Sequence, residues 1–586
     1  MKKESQIGKK LKPFVQALPD IFQYQIVTKI VIAVWLFLLG RIFQALLKSS
    51  GRVAVTSGDW QFLFTTWQGI LILLLGLVSL FIYVAFDLNA KVVLCRNLFL
   101  GQKASLKSTL DEGFSSIRKF IGLRGFLVVL YIALVAPILG LGLSITATEG
   151  LYIPTFITSF IQDSTLYSAL AGAAVLLLLV VGIANLFILH GVVIDGLSVK
   201  EAGAQSRRFI RANWKDYVKQ NVVFILLIVA SLAAIVLLCL LLPLKLIALL
   251  PAGPVSRALT IFFVTAGAVV STLAALFGLP VYLLKMTQLF YSYKQGSEAD
   301  FHEVTRDKPL RWKTAVALLL IALVAIDVIM YNHFDRFFPL GSDVKIIAHR
   351  AGGNEGRENT LSGLDTAWHL GAYGSEIDIQ RTSDGYYVVN HDSTFQRVAG
   401  VDRKPEEMTL QEVKQLSIDG EPVPTFEEML TASRGRLVLF VELKGNTADR
   451  QMADDAVAMI KQYQMEDECV LISLQYDLID YIETTYPEMQ TGFLTFVSFG
   501  KTAALNCDYI GLEEESATAD AIDAIHAEDK KVLVWTANEK GSQQHFLCTQ
   551  VDGMITDNVS QAIELRTELE RRSDLDRMVD TFRSII

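Results

Sequence analysis

Seven long apolar runs, near 26–47, 62–86, 126–145, 167–190, 221–243, 258–284 and 314–331, dominate the first 341 residues. Each approaches or exceeds the roughly 20 helical residues that cross a hydrocarbon core of about 30 Å. Stretches such as 173–181 and 222–242 carry no charge at all. So many uncharged runs predict membrane-spanning helices rather than buried helices of a soluble protein.

From Val344 onward the pattern changes to short β-branched runs alternating with helical periodicity. Strands are predicted at 344–348, 376–380, 386–390, 437–443, 470–474, 491–496, 509–513, 531–536 and 553–556. Helical segments fall between them at 361–370, 410–416, 448–463, 478–485 and 519–527. About eight strand-helix units, with no glycine-rich dinucleotide loop, predict a TIM-type (β/α)8 barrel rather than a doubly wound sheet. The fold class is therefore a multi-pass α-helical membrane domain over 1–341 followed by that barrel over 342–565. Apolar spacing among many charges over 560–586 predicts a closing helix and a solvated C-terminal helical extension, 566–586.

Charge sharpens the division. The chain carries a net −8, but residues 1–341 hold 31 Lys/Arg against 17 Asp/Glu, and residues 342–586 hold 22 against 44. A basic apolar half joined to an acidic mixed half fits a membrane region with a soluble domain and argues against nucleic acid as a partner. The N-terminus and the connections 87–125, 191–220 and 287–313 hold 23 basic residues, and the alternate connections hold four. The positive-inside rule then puts the N-terminus in the cytoplasm, and seven crossings put the barrel outside. The first run lacks a small-residue cleavage site and is expected to stay attached. Arg41 and Asp327, near the ends of their helices, are expected to reach the interface. Five cysteines without C-x-x-C spacing indicate neither a zinc site nor a disulfide scaffold.

Candidate chemistry gathers at the predicted strand ends. His349 and Arg350 follow the first strand, Glu376 and Asp378 lie in the second, His391 and Asp392 close the third, and Glu442 and Lys444 end the fourth. Residues two apart in a strand share a face, so each acidic pair can point into one barrel mouth. Three converging carboxylates need a cation, and their hard oxygens suit Ca²⁺ or Mg²⁺. Two histidines can divide proton transfer, while Arg350 and Lys444 hold a phosphate.

The stretch 346–398, IIAHRAGGNEGRENTLSGLDTAWHLGAYGSEIDIQRTSDGYYVVNHDSTFQRV, resembles the opening block of glycerophosphodiester phosphodiesterases. Matching features are the His-Arg start, Glu358-Asn359-Thr360, the E-x-D pair, Asp384-Gly385 and the His-Asp pair. Pro424 to Glu428, the E-x-K of Glu442 and Lys444, Val534 to Asn538, and Val551-Asp552-Gly553 with Thr556-Asp557 follow in order. The resemblance, over roughly 342–565, implies a TIM barrel with His349 and His391 catalytic and one divalent metal on Glu376, Asp378 and Glu442. It also implies phosphate contacts from Arg350 and Lys444 and a family insertion near 393–430. Trp535 either contacts substrate or fills the barrel mouth. Ala351 and Arg357 depart from the glycine and proline usual at those places. His369, His526 and His545 fall in helical segments and are expected to be packing or surface residues.

The expected activity is hydrolysis of glycerophosphodiesters to sn-glycerol 3-phosphate and an alcohol, by an enzyme of a bacterial cell membrane. Two alternatives stand beside it. One keeps the chemistry but applies it to an envelope glycerophosphate polymer or a membrane lipid headgroup. The other makes the barrel an idle module serving a membrane transporter or scaffold.

Overall fold

The computed structural model describes residues 6–56, 58–102, 105–135, 155–162, 164–251, 253–302, 312–338, 343–569 and 571–583. The second half of the predicted run 126–145, the 341/342 boundary, and Lys2, Lys3, Lys103, Arg306, Lys308 and Arg311 of the basic N-terminus and connections lie outside them. The chain divides into two compact units, one of residues 1–42, 70–153 and 157–332, the other of residues 43–69, 154–156 and 333–586.

The first unit is helical. Among the described residues, five helices are long and apolar enough to cross a membrane: Lys12–Ser49, Trp67–Phe99, Thr165–Val193, Val199–Ile247 and Pro254–Gln295. Two shorter apolar helices, Leu123–Ala133 and Ala317–Asn332, fall on the third and seventh predicted runs. Several helices outrun the roughly 20 residues a bilayer needs, so their ends carry polar packing that the hydropathy pattern assigned to loops. Asp87 and Lys91 form a buried ion pair one turn apart, and the Tyr24 hydroxyl donates to Asp87 Oδ1 at 3.2 Å. Asp327 has a partner in the helical unit. Its Oδ1 accepts a bond of 2.7 Å from Thr265 on the neighbouring helix.

The second unit opens with a short strand from its N-terminal piece, β1 (Ala54–Thr56). The strands that follow are β2 (Lys345–Ala348), β3 (Gly374–Arg381), β4 (Tyr387–Val389), β5 (Ser417–Ile418), β6 (Glu421–Pro422) and β7 (Val438–Leu443). They continue as β8 (Cys469–Ser473), β9 (Gln490–Thr495), β10 (Ser498–Gly500), β11 (Tyr509–Glu513), β12 (Lys531–Trp535) and β13 (Gly553–Thr556). Eight of these are parallel neighbours in the order β2, β3, β7, β8, β9, β11, β12, β13, and β13 pairs with β2 to close the barrel. Closure leaves no sheet edge.

Alternate residues divide the interior from the helical layer, as the pleat requires. Ile347, Phe440, Ile472, Leu494, Leu533 and Ile555 cluster inside, while Ile346, Ala348, Leu439 and Val441 join the larger core beneath the helices. Helices such as Arg450–Gln462 bury one face (Met452, Ala453, Ala456, Val457, Ile460) and start at capping side chains, here Asp449. The tail forms two helices, Val559–Leu569 and Asp574–Arg583.

One predicted barrel strand is not one. The strand near 386–390 is β4, which runs antiparallel to β3. The connection Thr382–Tyr386 is too short for the crossover that parallel strands require, and Gly385 turns it at φ +89°. The segment after β4 packs its own small core of Phe395, Met408, Val413, Ile418 and Val423, against Val388 of β4.

Candidate active site

Barrel register builds the acidic centre. Glu376 of β3 sits opposite Phe440 of β7, and Asp378 sits opposite Glu442. Since Phe440 points inward, so do Glu376, level with it, and Asp378 and Glu442, two residues nearer the strands' C-terminal ends. Glu376, Asp378 and Glu442 are buried, and an oxygen from each lies within 4.8 Å of the others. Lys444 projects two residues past Glu442 and donates to Asp378 Oδ1 at 3.0 Å and Glu442 Oε2 at 2.9 Å.

Electrostatics follow from this crowding. Burial, and then the neighbouring Asp378, push the Glu376 carboxyl up to about 8. Burial also raises Glu442. It acts in the same sense on Asp378, but Lys444 and His391 outweigh it and hold Asp378 well below the usual carboxylate range. Burial disfavours the Lys444 ammonium, yet Asp378 and Glu442 reverse the balance and its pKa is raised.

His349 enters from the strand beside this centre. Barrel closure sets Thr556 opposite Ala348, so the next residue, Asp557, lies beside His349. Its Oδ1 is 2.7 Å from His349 Nδ1, and His349 Nε2 is 4.0 Å from Glu376 Oε2. Burial opposes protonation of His349, but the hydrogen bond and charge of Asp557 prevail and raise its pKa. Asn538 donates to Asp557 Oδ2 at 2.6 Å and accepts from the Asp557 backbone N–H at 2.8 Å.

His391 arrives differently from the expectation of a barrel-strand end. β3 overshoots the rim, turns, and returns as β4, so that Asn390 N–H donates to Asp378 O at 3.0 Å and the next residue is His391. Asp392 Oδ1 lies 2.8 Å from His391 Nδ1, and Arg397 Nε donates to Asp392 Oδ2 at 2.7 Å. The His391 bond and then Arg397, outweighing burial, hold Asp392 well below the ordinary range. Arg397 also forks onto Glu358 at 2.6 and 2.7 Å, which ties the segment after β4 to the site. Each histidine thus has Nδ1 engaged by an aspartate.

The 349–360 loop supports the centre through its backbone. Arg350 (φ +49°), Ala351 (φ +70°) and Asn359 (φ +52°) occupy the left-handed region. This lets Arg350 N–H donate to Glu376 Oε2 at 2.8 Å and Ala351 N–H to Glu376 O at 2.7 Å. Ala351 therefore stands where glycine would be free of steric cost. Gly353 (φ +62°) has no such latitude, because an added Cβ would lie 2.4 Å from Asp557 O. Arg357, the other departure, pairs with Glu421 on β6. Asn359 donates to Asp378 Oδ2 at 3.0 Å, and its buried Oδ1 has no hydrogen-bond partner among the described residues. The Arg350 guanidinium meets Glu358 at 3.1 Å, while its buried Nε lacks a partner among the described residues.

The structure therefore brings His349, Arg350, Glu376, Asp378, His391, Glu442 and Lys444 together. Trp535 lies on the inward face of β12, packed against the inner cluster that includes Leu494 and Leu533, and its indole N–H donates to Gly511 O at 3.1 Å. His369 is exposed on its helix. The residues assigned no role in the sequence are Asp557, Asn359, Asp392 and Arg397. Barrel closure was the signal for Asp557, because last and first strands of a barrel are neighbours. Nothing in the spacing announced Arg397.

Two family models match this chain: the membrane domain of glycerophosphoryl diester phosphodiesterase over residues 7–329, and the glycerophosphoryl diester phosphodiesterase family over 349–561. The chain belongs to this family and is a phosphodiesterase fused to its membrane domain. A Bacillus altitudinis glycerophosphodiester phosphodiesterase is 25% identical over 243 residues, which cover 39% of this chain and 99% of that one. The mouse glycerophosphodiester phosphodiesterase 1 is 34% identical over 134 residues, 21% of this chain and 39% of that one. Among solved structures, an Oleispira antarctica phosphodiesterase in complex with the product sn-glycerol-3-phosphate is 24% identical, with TM-score 0.36, covering 38% of this chain and 96% of that one.

Proposed function

We propose that this enzyme hydrolyses glycerophosphodiesters to sn-glycerol 3-phosphate and an alcohol, with His349 and His391 as its acid-base pair. The observation carrying this reading is the arrangement around the carboxylates: two histidines, each held at Nδ1 by an aspartate, flank three buried acids and two cations. Nδ1 engagement leaves Nε2 as the proton-carrying edge of each ring. One ring takes the proton of the attacking oxygen and the other protonates the departing alkoxide. The attacking oxygen comes from water or from the substrate's own neighbouring glycerol hydroxyl; the residues accommodate either. Arg350, whose Nε lacks a protein partner, and Lys444 bind the phosphate oxygens. Trp535 shapes the mouth beside them.

Glu376, Asp378 and Glu442 fit a divalent cation, Ca²⁺ or Mg²⁺. Their donor set is all oxygen, burial and then mutual crowding raise two of the three carboxyl pKa values, and the Asn359 Oδ1 beside them is an unmatched acceptor among the described residues. When bound, such a cation supplies positive charge against the developing charge of the phosphoryl group.

The catalytic unit, in this reading, lies outside the cytoplasmic membrane of a bacterium, tethered by seven crossings. Support comes from the basic asymmetry and from the pairing of β1 with β10. That pairing requires the connection after the first span and the barrel to share one side, which six further crossings satisfy. A panel of glycerophosphodiesters tested with the purified full chain decides the matter. Release of glycerol 3-phosphate supports the reading, and inertness toward every member with and without Ca²⁺ or Mg²⁺ refutes it.

A further inference from the structure

The connection between the first two apolar helices does more than join them. β1 pairs antiparallel with β10 in the register Ala54↔Gly500, Val55↔Phe499 and Thr56↔Ser498. β10 follows the C-terminal end of β9, so it belongs to the rim of the mouth that holds the active site. Three contacts extend the pairing. Lys501 N–H donates to Val53 O at 3.0 Å. A Cβ at Gly58 would lie 3.3 Å from the carbonyl of Leu474, just past the mouth end of β8. A Cβ at Gly500 would lie 3.1 Å from the side chain of Leu47, in the last turn of the first apolar helix. Arg52, ion-paired to Asp59 and 5.0 Å from the Phe62 ring, braces the connection internally.

Chain length makes this a short leash. The first apolar helix ends at Ser49 and the second begins at Trp67. Five residue steps separate Ser49 from β1, which span at most about 17 Å of extended chain. The surface beside the pairing is apolar and exposed: Val53 (45%), Phe64 (65%), Trp67 (63%) and, from the rim itself, Phe499 (65%). Aromatic residues at the ends of membrane helices settle at the lipid headgroup level. Continuity of this patch with two membrane-entering helices identifies lipid as its occupant rather than a protein.

We infer that the 50–66 connection is a strap holding the catalytic mouth at the lipid-water interface, and that the physiological substrate is a glycerophosphodiester borne by a membrane-anchored molecule. This rests on the proposed function and names its substrate class. A phospholipid headgroup and a lipid-anchored glycerophosphate oligomer share the required chemistry.

The test uses the full chain reconstituted in vesicles, with three probes: water-soluble glycerophosphoethanolamine, phosphatidylglycerol in the bilayer, and a lipid-anchored glycerophosphate oligomer in the bilayer. Gly500→Val should detach the strap, since φ is +107° and an added Cβ would lie 2.7 Å from Val53 O. The expected result is a fall of at least about tenfold on a bilayer-borne probe, with kcat/KM on the soluble probe within about twofold of parent. Phe499→Ser, at an exposed position, preserves the pairing and should show the same selective loss, smaller in size. Whichever bilayer probe is cleaved identifies the source. Equal losses on soluble and bilayer probes, or no loss on either, overturn the inference. So does a parent enzyme that cleaves only the soluble diester. Inertness toward all three probes instead removes the functional reading itself.

Discussion

Replacing Asp557 with Asn tests whether the orientation and charge of His349 matter. The 2.7 Å contact joins two partly buried side chains, 19% and 24% exposed, so solvent screens it only modestly. A hydrogen bond to a charged group in such surroundings contributes about 1.5–3 kcal/mol. Asn cannot replace Asp here without loss. Asp557 Oδ1 engages His349 while Oδ2 accepts from Asn538 Nδ2 at 2.6 Å. An amide has one oxygen, and its NH₂ would face a donor on one side or the other. If the charged ring is what the transition state stabilises, kcat/KM should fall by about 10- to 100-fold. The assay is steady-state release of glycerol 3-phosphate, with thermal melting as the check on folding. A glycerol 3-phosphoryl nitrophenyl ester, whose leaving group needs little protonation, separates roles: recovery of most of the rate marks His349 as the general acid. A folded Asp557→Asn enzyme with parental kcat/KM on the natural diester would refute the argument.

His349→Ala and His391→Ala should each lower kcat by about 10²–10⁴, the range for loss of one general acid or base, while exposed His369→Ala stays near parental in the same assay. Chelation should abolish turnover and Ca²⁺ or Mg²⁺ restore it, and the cation should also raise the melting temperature of a His349→Ala protein, which cannot report through activity. Ala351→Gly relieves a left-handed residue at about 1–2 kcal/mol, offset by glycine's backbone freedom and a lost buried methyl at about 0.8 kcal/mol each, so melting should place stability within about 1 kcal/mol of parent. A loss of activity beyond tenfold would show that the departure at this position matters to chemistry. Protease added to wall-stripped cells should remove the barrel, and digestion only after lysis would reverse the orientation.

The barrel was legible because its strands are short, apolar and evenly spaced, and most observed boundaries fall within a residue or two of the pattern. Period-two spacing also placed Glu376 with Asp378 and Glu442 with Lys444 on one inward face. Hydrophobic alternation is blind to strand direction, however, and β4 was misread for that reason. It is equally blind to contacts across closure: His349 and Asp557 stand 208 residues apart. In the membrane half, hydropathy found the apolar runs but could not see that their helices continue into polar packing, as at Asp87 and Lys91. The β1–β10 pairing was illegible altogether, since three residues carry no periodicity and their partner lies in a rim loop.

The acidic centre also shows why such a site has to be read against the fold's own stability. Glu376, Asp378 and Glu442 occupy inward barrel positions, Glu376 level with Phe440 and Glu442 level with Ile472 on the neighbouring strands. Like charges buried together oppose folding, and a single ammonium offsets only part of that repulsion. Lys444 is bonded to Asp378 and Glu442, which leaves Glu376 leaning on the backbone N–H of Arg350 and on His349 at 4.0 Å. Burial first, and then the charge of Asp378, push the Glu376 carboxyl up to about 8, while Lys444 and His391 hold Asp378 down. The left-handed loop at 350–359, the returning hairpin and the Asp557 contact all converge on this unbalanced point. Their common effect is to hold three carboxylates together at an electrostatically costly spacing.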